Sequence, residues 1–215
     1  MTDRARPYHH GSLRQELVRE GRRLLVEAGP QAVTVRELAR RVGVSHGAPL
    51  RHFRDRGAVL DAIAADGFDE LRGHLEAARG TEDLEARLTG YVRAHVRFAQ
   101  ENGPLVQLMF SSDGDRSDTG RDAGSRSSAR RFFALGAELL GERDPAAAGP
   151  VPFLLAATTE GIGALAAAGR IPPERVDEVV AAAVRMLLPQ VEQQLAEAPG
   201  RPHEADPGRS HEGSG

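Results

Sequence analysis

Apolar residues recur every three or four positions along most of this chain, a period that predicts helices and leaves almost no segment for strands. Amphipathic helices are expected over 12–28, 35–41, 58–78, 81–102, 128–141, 150–168 and 174–196, with shorter helical pieces at 46–52 and 103–110. The segment 111–127 has no aromatic residue and no Val, Ile or Leu, so it is expected to be a mobile loop. The predicted fold class is therefore all-α.

Composition excludes several classes of protein. The 215 residues contain no cysteine, which excludes a disulfide framework, a thiolate zinc site and a cysteine nucleophile. With 40% hydrophobic and 27% charged residues, the chain has the composition of a soluble globular protein. No apolar run reaches the roughly 18 residues of a membrane span, and the first residues lack the apolar core of a secretory signal. We therefore expect a cytoplasmic protein without membrane contacts.

Charge is distributed unevenly along the chain, although the net charge is only −3. Residues 1–57 contain 12 Arg against six acidic residues, whereas the remainder contains 16 Arg against 25 acidic residues. A basic head on an acidic body indicates that the head meets a polyanion. The alternative is a chance fluctuation of charge in a short segment, since the head has no dense basic run.

The head also contains the spacing of a helix-turn-helix motif. The sequence Thr34-Val-Arg-Glu37 predicts a capping box that opens the helix 35–41. Gly43 suits a left-handed residue after that helix, and Ser45 is a candidate N-cap for the second helix at 46–52. A helix, a tight glycine turn and a second helix within about 20 residues are typical of helix-turn-helix proteins.

This spacing identifies candidate DNA-binding residues, because the second helix of such a motif enters the major groove. Helix N-termini beside it offer free N–H groups and arginines to phosphates. The candidates are Thr34, Arg36, Ser45, His46, Gly47, Pro49, Leu50, Arg51, His52, Arg56 and Gly57. The alternative is a three-helix cluster that only packs and binds nothing.

The stretch VTVRELARRVGVSHGAPLRHFRDRGAVLDAI resembles the DNA-binding domain of the tetracycline-repressor (TetR) family, and the opening YHHGSLRQEL is similar to one of its subgroups. The resemblance covers about residues 9–65. It implies an all-helical homodimer with a C-terminal ligand-binding and dimerisation domain. Two positions depart from the family pattern: Leu50 stands where an aromatic residue that commonly touches a phosphate is usual, and Arg56 replaces the usual Lys.

Polar residues on apolar helical faces, together with the apolar pair Met109 and Phe110, are candidate ligand contacts in the body. The full set of candidates is Tyr91, His95, Gln107, Met109, Phe110, Thr158 and Glu160. The alternative interpretation is ordinary core, with a hydrogen-bonded core histidine and an interface carboxylate. The histidines His9, His10, His46 and His52 lack the spacing of metal ligands, so no metal is expected. No nucleotide-binding or hydrolase motif occurs, which predicts neither a cofactor nor catalytic residues.

The predicted domains are a helix-turn-helix head at 1–57 with its core at 9–57, a body at 58–197 that begins with a connecting helix at 58–78, and a disordered tail at 198–215. The helices 150–168 and 174–196 are apolar over more than one stripe, which predicts a homodimer interface. Gly161, Gly163, Ala164 and Ala167 would allow the close approach of a partner helix.

The predicted function is a ligand-responsive transcriptional regulator. It would bind a palindromic double-stranded DNA operator as a repressor and be released by a small lipophilic or aromatic effector, cationic if Glu160 faces the pocket. The helix 58–78 would act as a lever between pocket and head, and the loop 111–127 would gate entry. The alternative is a small helical enzyme or carrier whose pocket uses His95 and Glu160.

Overall fold

The computed structural model describes residues 10–77, 83–110, 136 and 149–197, none of which forms a strand. The helices are α1 (His10–Ala28), α2 (Val35–Val42), α3 (Arg56–Ala77), α4 (Leu84–Glu101), α5 (Gly103–Phe110), α6 (Val151–Ala167) and α7 (Val176–Glu197), with short 3₁₀ helices at Pro30–Ala32, Pro49–Arg51 and Pro173–Arg175. The all-α prediction is confirmed. The predicted loop at 111–127, all but residue 136 of the predicted helix at 128–141, and the tail at 198–215 lie outside the described residues.

Side-chain oxygens cap three of these helices. The Thr34 hydroxyl accepts the Glu37 N–H at 3.2 Å, as the capping box predicts. The carboxylates of Asp55 and Asp83 likewise accept N–H groups in the first turns of α3 and α4, at 2.8 and 2.7 Å. Acidic caps stabilise a helix start because they satisfy a free N–H and complement the helix dipole. They place the starts of α3 and α4 at Arg56 and Leu84 rather than at the predicted 58 and 81.

The predicted helix at 46–52 is wrong. Residues 46–48 form a turn, and Pro49–Arg51 form one turn of 3₁₀ helix. Proline has no N–H to donate to the Ser45 carbonyl four residues back, and that carbonyl instead accepts the Ala48 N–H at 3.0 Å. The tighter three-residue hydrogen bonding then continues to the end of the segment. At the other end of the head, α1 spans His10–Ala28, so it includes two residues before the predicted start at 12.

One continuous core connects the head with the body. The helix α1 packs closely on α3, since a Cβ on Gly21 would lie 2.6 Å from Ile63 Cδ1. The short helix α5 packs against both α1 and α3, and α4 packs against α6 and α7. The helix α3 therefore belongs to the head at its beginning and to the body at its end. No helix in the described ranges combines the length and the apolar character that crossing a bilayer requires.

Candidate nucleic-acid interface

The turn after α2 has the geometry that the sequence predicts. Gly43 has φ +75°, in the left-handed region that glycine adopts without steric cost. Its N–H donates to the carbonyls of Ala39 and Arg40, and the Val44 N–H donates to the Ala39 carbonyl at 3.0 Å. This closes α2 and directs the chain sharply into the segment 45–52.

Most of the predicted contact residues are exposed. They are Arg36, Ser45, His46, Gly47, Leu50 and Arg51, whereas Thr34, His52, Arg56 and Gly57 are half-buried. Pro49 is different, because the structure buries it; its prediction as an outward-facing residue is wrong. The 3₁₀ turn points position 49 into the head and position 50 away from it. The exposed residues of this segment are therefore 45–47 before Pro49 and Leu50 and Arg51 after it.

Phe53 fixes the end of this segment in the head. Its ring is 2% exposed, and its N–H donates to the Pro49 carbonyl at 2.9 Å. The Arg14 guanidinium on α1 lies 5.2 Å from the ring centroid, within the range of a cation–π contact. Sequence reasoning missed Arg14, because no local pattern connects residues so far apart in the chain.

Arg56 is engaged within the head. Its Nε donates to the Val33 carbonyl at 3.1 Å, and its Nη2 donates to the Pro30 carbonyl at 2.7 Å and to Gln31 Oε1 at 3.4 Å. These bonds join the first residue of α3 to the loop between α1 and α2. The Asp55 carboxylate caps the same helix end, which places a negative charge where a phosphate was predicted to bind.

Two further arginines lie on α2. Arg40 donates to both carboxylate oxygens of Glu37, at 2.9 and 2.7 Å, and Arg41 joins Glu37 to Glu27 at 3.1 and 2.7 Å. Hydrogen bonds from Arg40 and Arg41 lower the pKa of Glu37 to about 2. The Arg40 side chain is 71% exposed beside the outward-facing surface. Its spacing of four residues from Arg36 was the sequence signal that could have identified it.

In the body, the structure brings His95 and Glu160 together. His95 Nε2 lies 3.2 Å from Glu160 Oε2, which connects α4 to α6. His95 is 1% exposed, whereas the Glu160 side chain is 29% exposed. The Phe110 ring lies 6.3 Å from the His95 ring. Tyr91 is also buried, and burial raises the pKa of its hydroxyl.

Other predicted ligand residues are placed differently. Met109 is buried against α3, where its sulfur would lie 2.7 Å from a Cβ on Gly67. Gln107 is exposed, so it does not join the polar groups around His95. Thr158 is half-buried, whereas its neighbour Thr159 is fully buried and donates its hydroxyl to carbonyls of its own helix. The structure therefore gathers only part of the predicted set around the His95–Glu160 pair.

Two surface grooves lie apart from that pair. One of about 610 Å³ runs between α1 and α3, and one of about 360 Å³ lies beside α4 near His74 and Arg97. Neither is lined by a predicted ligand residue. Among the described residues, no group of three or more His, Asp or Glu side chains could hold a metal ion.

A short helix, a left-handed glycine turn and an exposed segment anchored by a following helix define a helix-turn-helix protein. The model of the family described as bacterial regulatory proteins, tetR family, matches residues 17–63. Residues 17–63 therefore form a domain of this TetR family.

Three similar proteins give the extent of the likeness. The tetracycline repressor protein class A from transposon 1721 of Escherichia coli is 36% identical over 78 residues, 36% of each chain. The nucleoid occlusion factor SlmA of Glaesserella parasuis is 28% identical over 83 residues, which are 39% of this chain and 41% of that protein. This chain thus spans well under half the length of these curated relatives. A solved structure of a protein with unknown function from Rhodococcus sp. RHA1 is 34% identical, with 86% and 98% of the two chains covered and a TM-score of 0.72.

Proposed function

We propose that this protein is a transcriptional repressor that binds a palindromic DNA operator as a homodimer and is released by a small effector. The observation that carries the proposal is the group of exposed residues Arg36, Arg40, 45–47, Leu50 and Arg51 in the helix-turn-helix segment. It lies within the region that the TetR family matches, and one relative is named a repressor.

Phosphate contacts are assigned to the exposed arginines Arg36 and Arg51, with Arg40 beside them. The half-buried Thr34 lies next to Arg36 at the N-terminus of α2, a helix end that favours an anion; its hydroxyl already accepts the Glu37 N–H there. Ser45, His46 and Gly47 face the bases, with His52 at the edge of the contact. Arg56 enters the proposal as a positioning residue, because its guanidinium already binds carbonyls of the head.

Binding to duplex DNA at several salt concentrations tests this assignment. Each lost phosphate contact lowers the salt slope by about one unit, so Arg51→Ala and Arg36→Ala should both show this loss. Arg170→Ala removes an exposed arginine that follows α6 and serves as the matched control. Wild-type slopes in both head variants would refute the docking surface.

The proposed dimer interface, where a second copy of the chain would bind, lies on the outer faces of α6 and α7. Phe153, Leu154 and Leu165 on α6 are 62%, 49% and 42% exposed, and Met186 on α7 is 77% exposed. Such a concentration of apolar surface is typical of an interface. A Cβ on Gly161 would meet nothing within 4 Å, so that glycine leaves room for a partner helix.

The prediction that Gly163 would allow the close approach of a partner helix is wrong. A Cβ there would lie 2.8 Å from the Ala99 side chain, so Gly163 serves the packing of α6 on α4 and not the approach of a partner.

Sedimentation tests the dimer. Leu154→Glu and Leu165→Glu should each yield monomers at micromolar concentration, whereas Val26→Glu, at an exposed position on α1, should not. A wild-type monomer would refute the interface and, with it, the palindromic operator.

An effector site is assigned to the region around His95, Glu160, Tyr91 and Phe110. The ring and aliphatic surfaces there favour an apolar or aromatic molecule, and the part-exposed Glu160 carboxylate favours a cationic group on it. Thr158 lies two residues before Glu160 on α6, whereas Met109 packs on α3 and is left out of the proposed site. A thermal-shift screen of neutral and cationic aromatic compounds tests the site, with Glu160→Gln against the exposed control Glu174→Gln. Equal stabilisation by cationic compounds in both variants would place the effector elsewhere.

A chain of aromatic contacts connects this region to the head. The Phe110 ring lies 6.3 Å from the His95 ring and 5.3 Å from the Phe68 ring on α3. Since α3 starts at Arg56, movement of Phe110 can displace the head through α3. An effector shifts the equilibrium only if it binds one head position better. Phe68→Leu, on α3 and outside the proposed site, should therefore retain compound binding but weaken the release of DNA.

A further inference from the structure

Leu50 is an unusual residue for the surface on which it lies. It is 51% exposed, and the exposed residues near it in the chain, Ser45, His46 and Arg51, are polar or basic. Four of the other large exposed apolar side chains lie on α6 and α7, where a second copy of the chain is proposed to cover them. The proposed second copy does not cover Leu50, so the dimer interface does not explain why this apolar side chain is exposed.

The backbone holds Leu50 in this outward position. Pro49 is buried on one side of it, and Phe53, three residues further on, is 2% exposed. The N–H groups of His52 and Phe53 both donate to the Pro49 carbonyl at 2.9 Å. Since positions 49 and 53 already fill the head, Leu50 cannot turn inward without breaking this turn. Its side chain is a fixed apolar projection.

We propose that Leu50 reads the C5-methyl group of thymine, and so selects a T·A pair at one position in each operator half-site. The inference rests on the proposed DNA binding. In the major groove, thymine alone carries a C5-methyl group, beside its O4 acceptor; cytosine has only a hydrogen at C5, and guanine and adenine present hydrogen-bonding groups. Leucine has no donor or acceptor for those groups or for a phosphate.

Close approach at this position is sterically open. Gly47 lies in the preceding turn and carries no side chain, and a Cβ there would meet nothing within 4 Å, so the space around this turn is open. A purine edge pressed against Leu50 would lose its water without gaining a hydrogen bond, which disfavours guanine and adenine. Discrimination against cytosine comes from the loss of the methyl contact alone.

The test begins with selection of an operator from a random duplex library by the full-length protein. Each thymine is then replaced by deoxyuridine, which removes only the C5-methyl group, in both half-sites together. Removal of one buried methyl weakens binding about fourfold per half-site, so a symmetric replacement should raise Kd about 15-fold at one position. Leu50→Ala should abolish this difference, and Leu50→Met should retain most of it.

Val26→Ala is the matched control, because Val26 is also an exposed apolar residue of the head, 67% exposed on α1, and should keep full sensitivity to the methyl group. The inference is overturned if wild type binds thymine and deoxyuridine operators equally at every position, or if Leu50→Ala still distinguishes them. Salt-dependent operator binding without methyl sensitivity refutes the role of Leu50 alone. Failure to bind any duplex refutes the proposed DNA binding as well.

Discussion

Replacement of Arg56 by alanine distinguishes a positioning role from a phosphate contact. In the structure, three hydrogen bonds connect this guanidinium to Val33, Pro30 and Gln31. The variant would leave the carbonyls of the loop between α1 and α2 to water and release α3 from that loop. We expect loss of stability, together with weaker DNA binding at every salt concentration.

The magnitude follows from the exposure of these bonds. A buried hydrogen bond to a charged group contributes about 1.5–3 kcal/mol, but the Arg56 guanidinium is half-exposed and its longest bond is weak, so we assign about 2 kcal/mol to all three together. For a chain of this size, that loss lowers Tm by about 4–8 °C.

The assay combines thermal unfolding with DNA binding across a salt series. Arg56→Ala should lower Tm and leave the salt slope unchanged, whereas Arg51→Ala, at an exposed position, should leave Tm unchanged and reduce the slope by about one unit. An Arg56→Ala protein with wild-type Tm and a reduced salt slope would show that the residue binds phosphate and that the positioning argument is incorrect.

Three further predictions concern α2. Thr34→Ala removes the hydroxyl that caps the helix and should cost about 1 kcal/mol in urea unfolding; Thr34→Ser should retain most of it, and an unchanged midpoint in the alanine variant would contradict the cap. Gly43→Ala forces a side chain into φ +75° and should cost about 1–2 kcal/mol, so equal stability would contradict the left-handed turn. The Glu37 carboxyl should titrate near pH 2 by NMR. Since its pKa is lowered in the folded state, its contribution to stability is present at neutral pH and is lost as the pH falls from about 4.5 toward 2; Arg40→Ala and Arg41→Ala should each raise the pKa, and a normal value in wild type would contradict the ion pairs.

Local signals in the sequence predicted much of the head. The capping hydroxyl of Thr34 and the left-handed Gly43 depend on residues within one helical turn, and both appear in the structure. The wrong prediction of a helix at 46–52 also has a local cause, because Pro49 stands at the fourth position of that segment, where an α-helix needs a backbone N–H. Its missing N–H instead favours the 3₁₀ turn that buries Pro49 itself.

Long-range contacts could not be predicted in this way. The bonds from Arg56 to Pro30 and Val33 cross more than 20 residues of sequence. The sequence did identify His95 and Glu160 as polar residues on apolar helices, but their separation of 3.2 Å depends on how α4 and α6 pack. Charge and periodicity identify which side chains need a partner, whereas the tertiary packing decides which partner they find.

The contact of α5 with both α1 and α3 has a consequence for how this protein comes apart. Because side chains from the head and the body belong to one continuous core, the predicted boundary at residue 57 does not coincide with a break in packing. A fragment ending there would lack most of α3, including Ile63, which packs against Gly21 of α1. We therefore expect the head and the body to unfold as one cooperative unit, with the helix-turn-helix segment held in shape by the remainder of the chain.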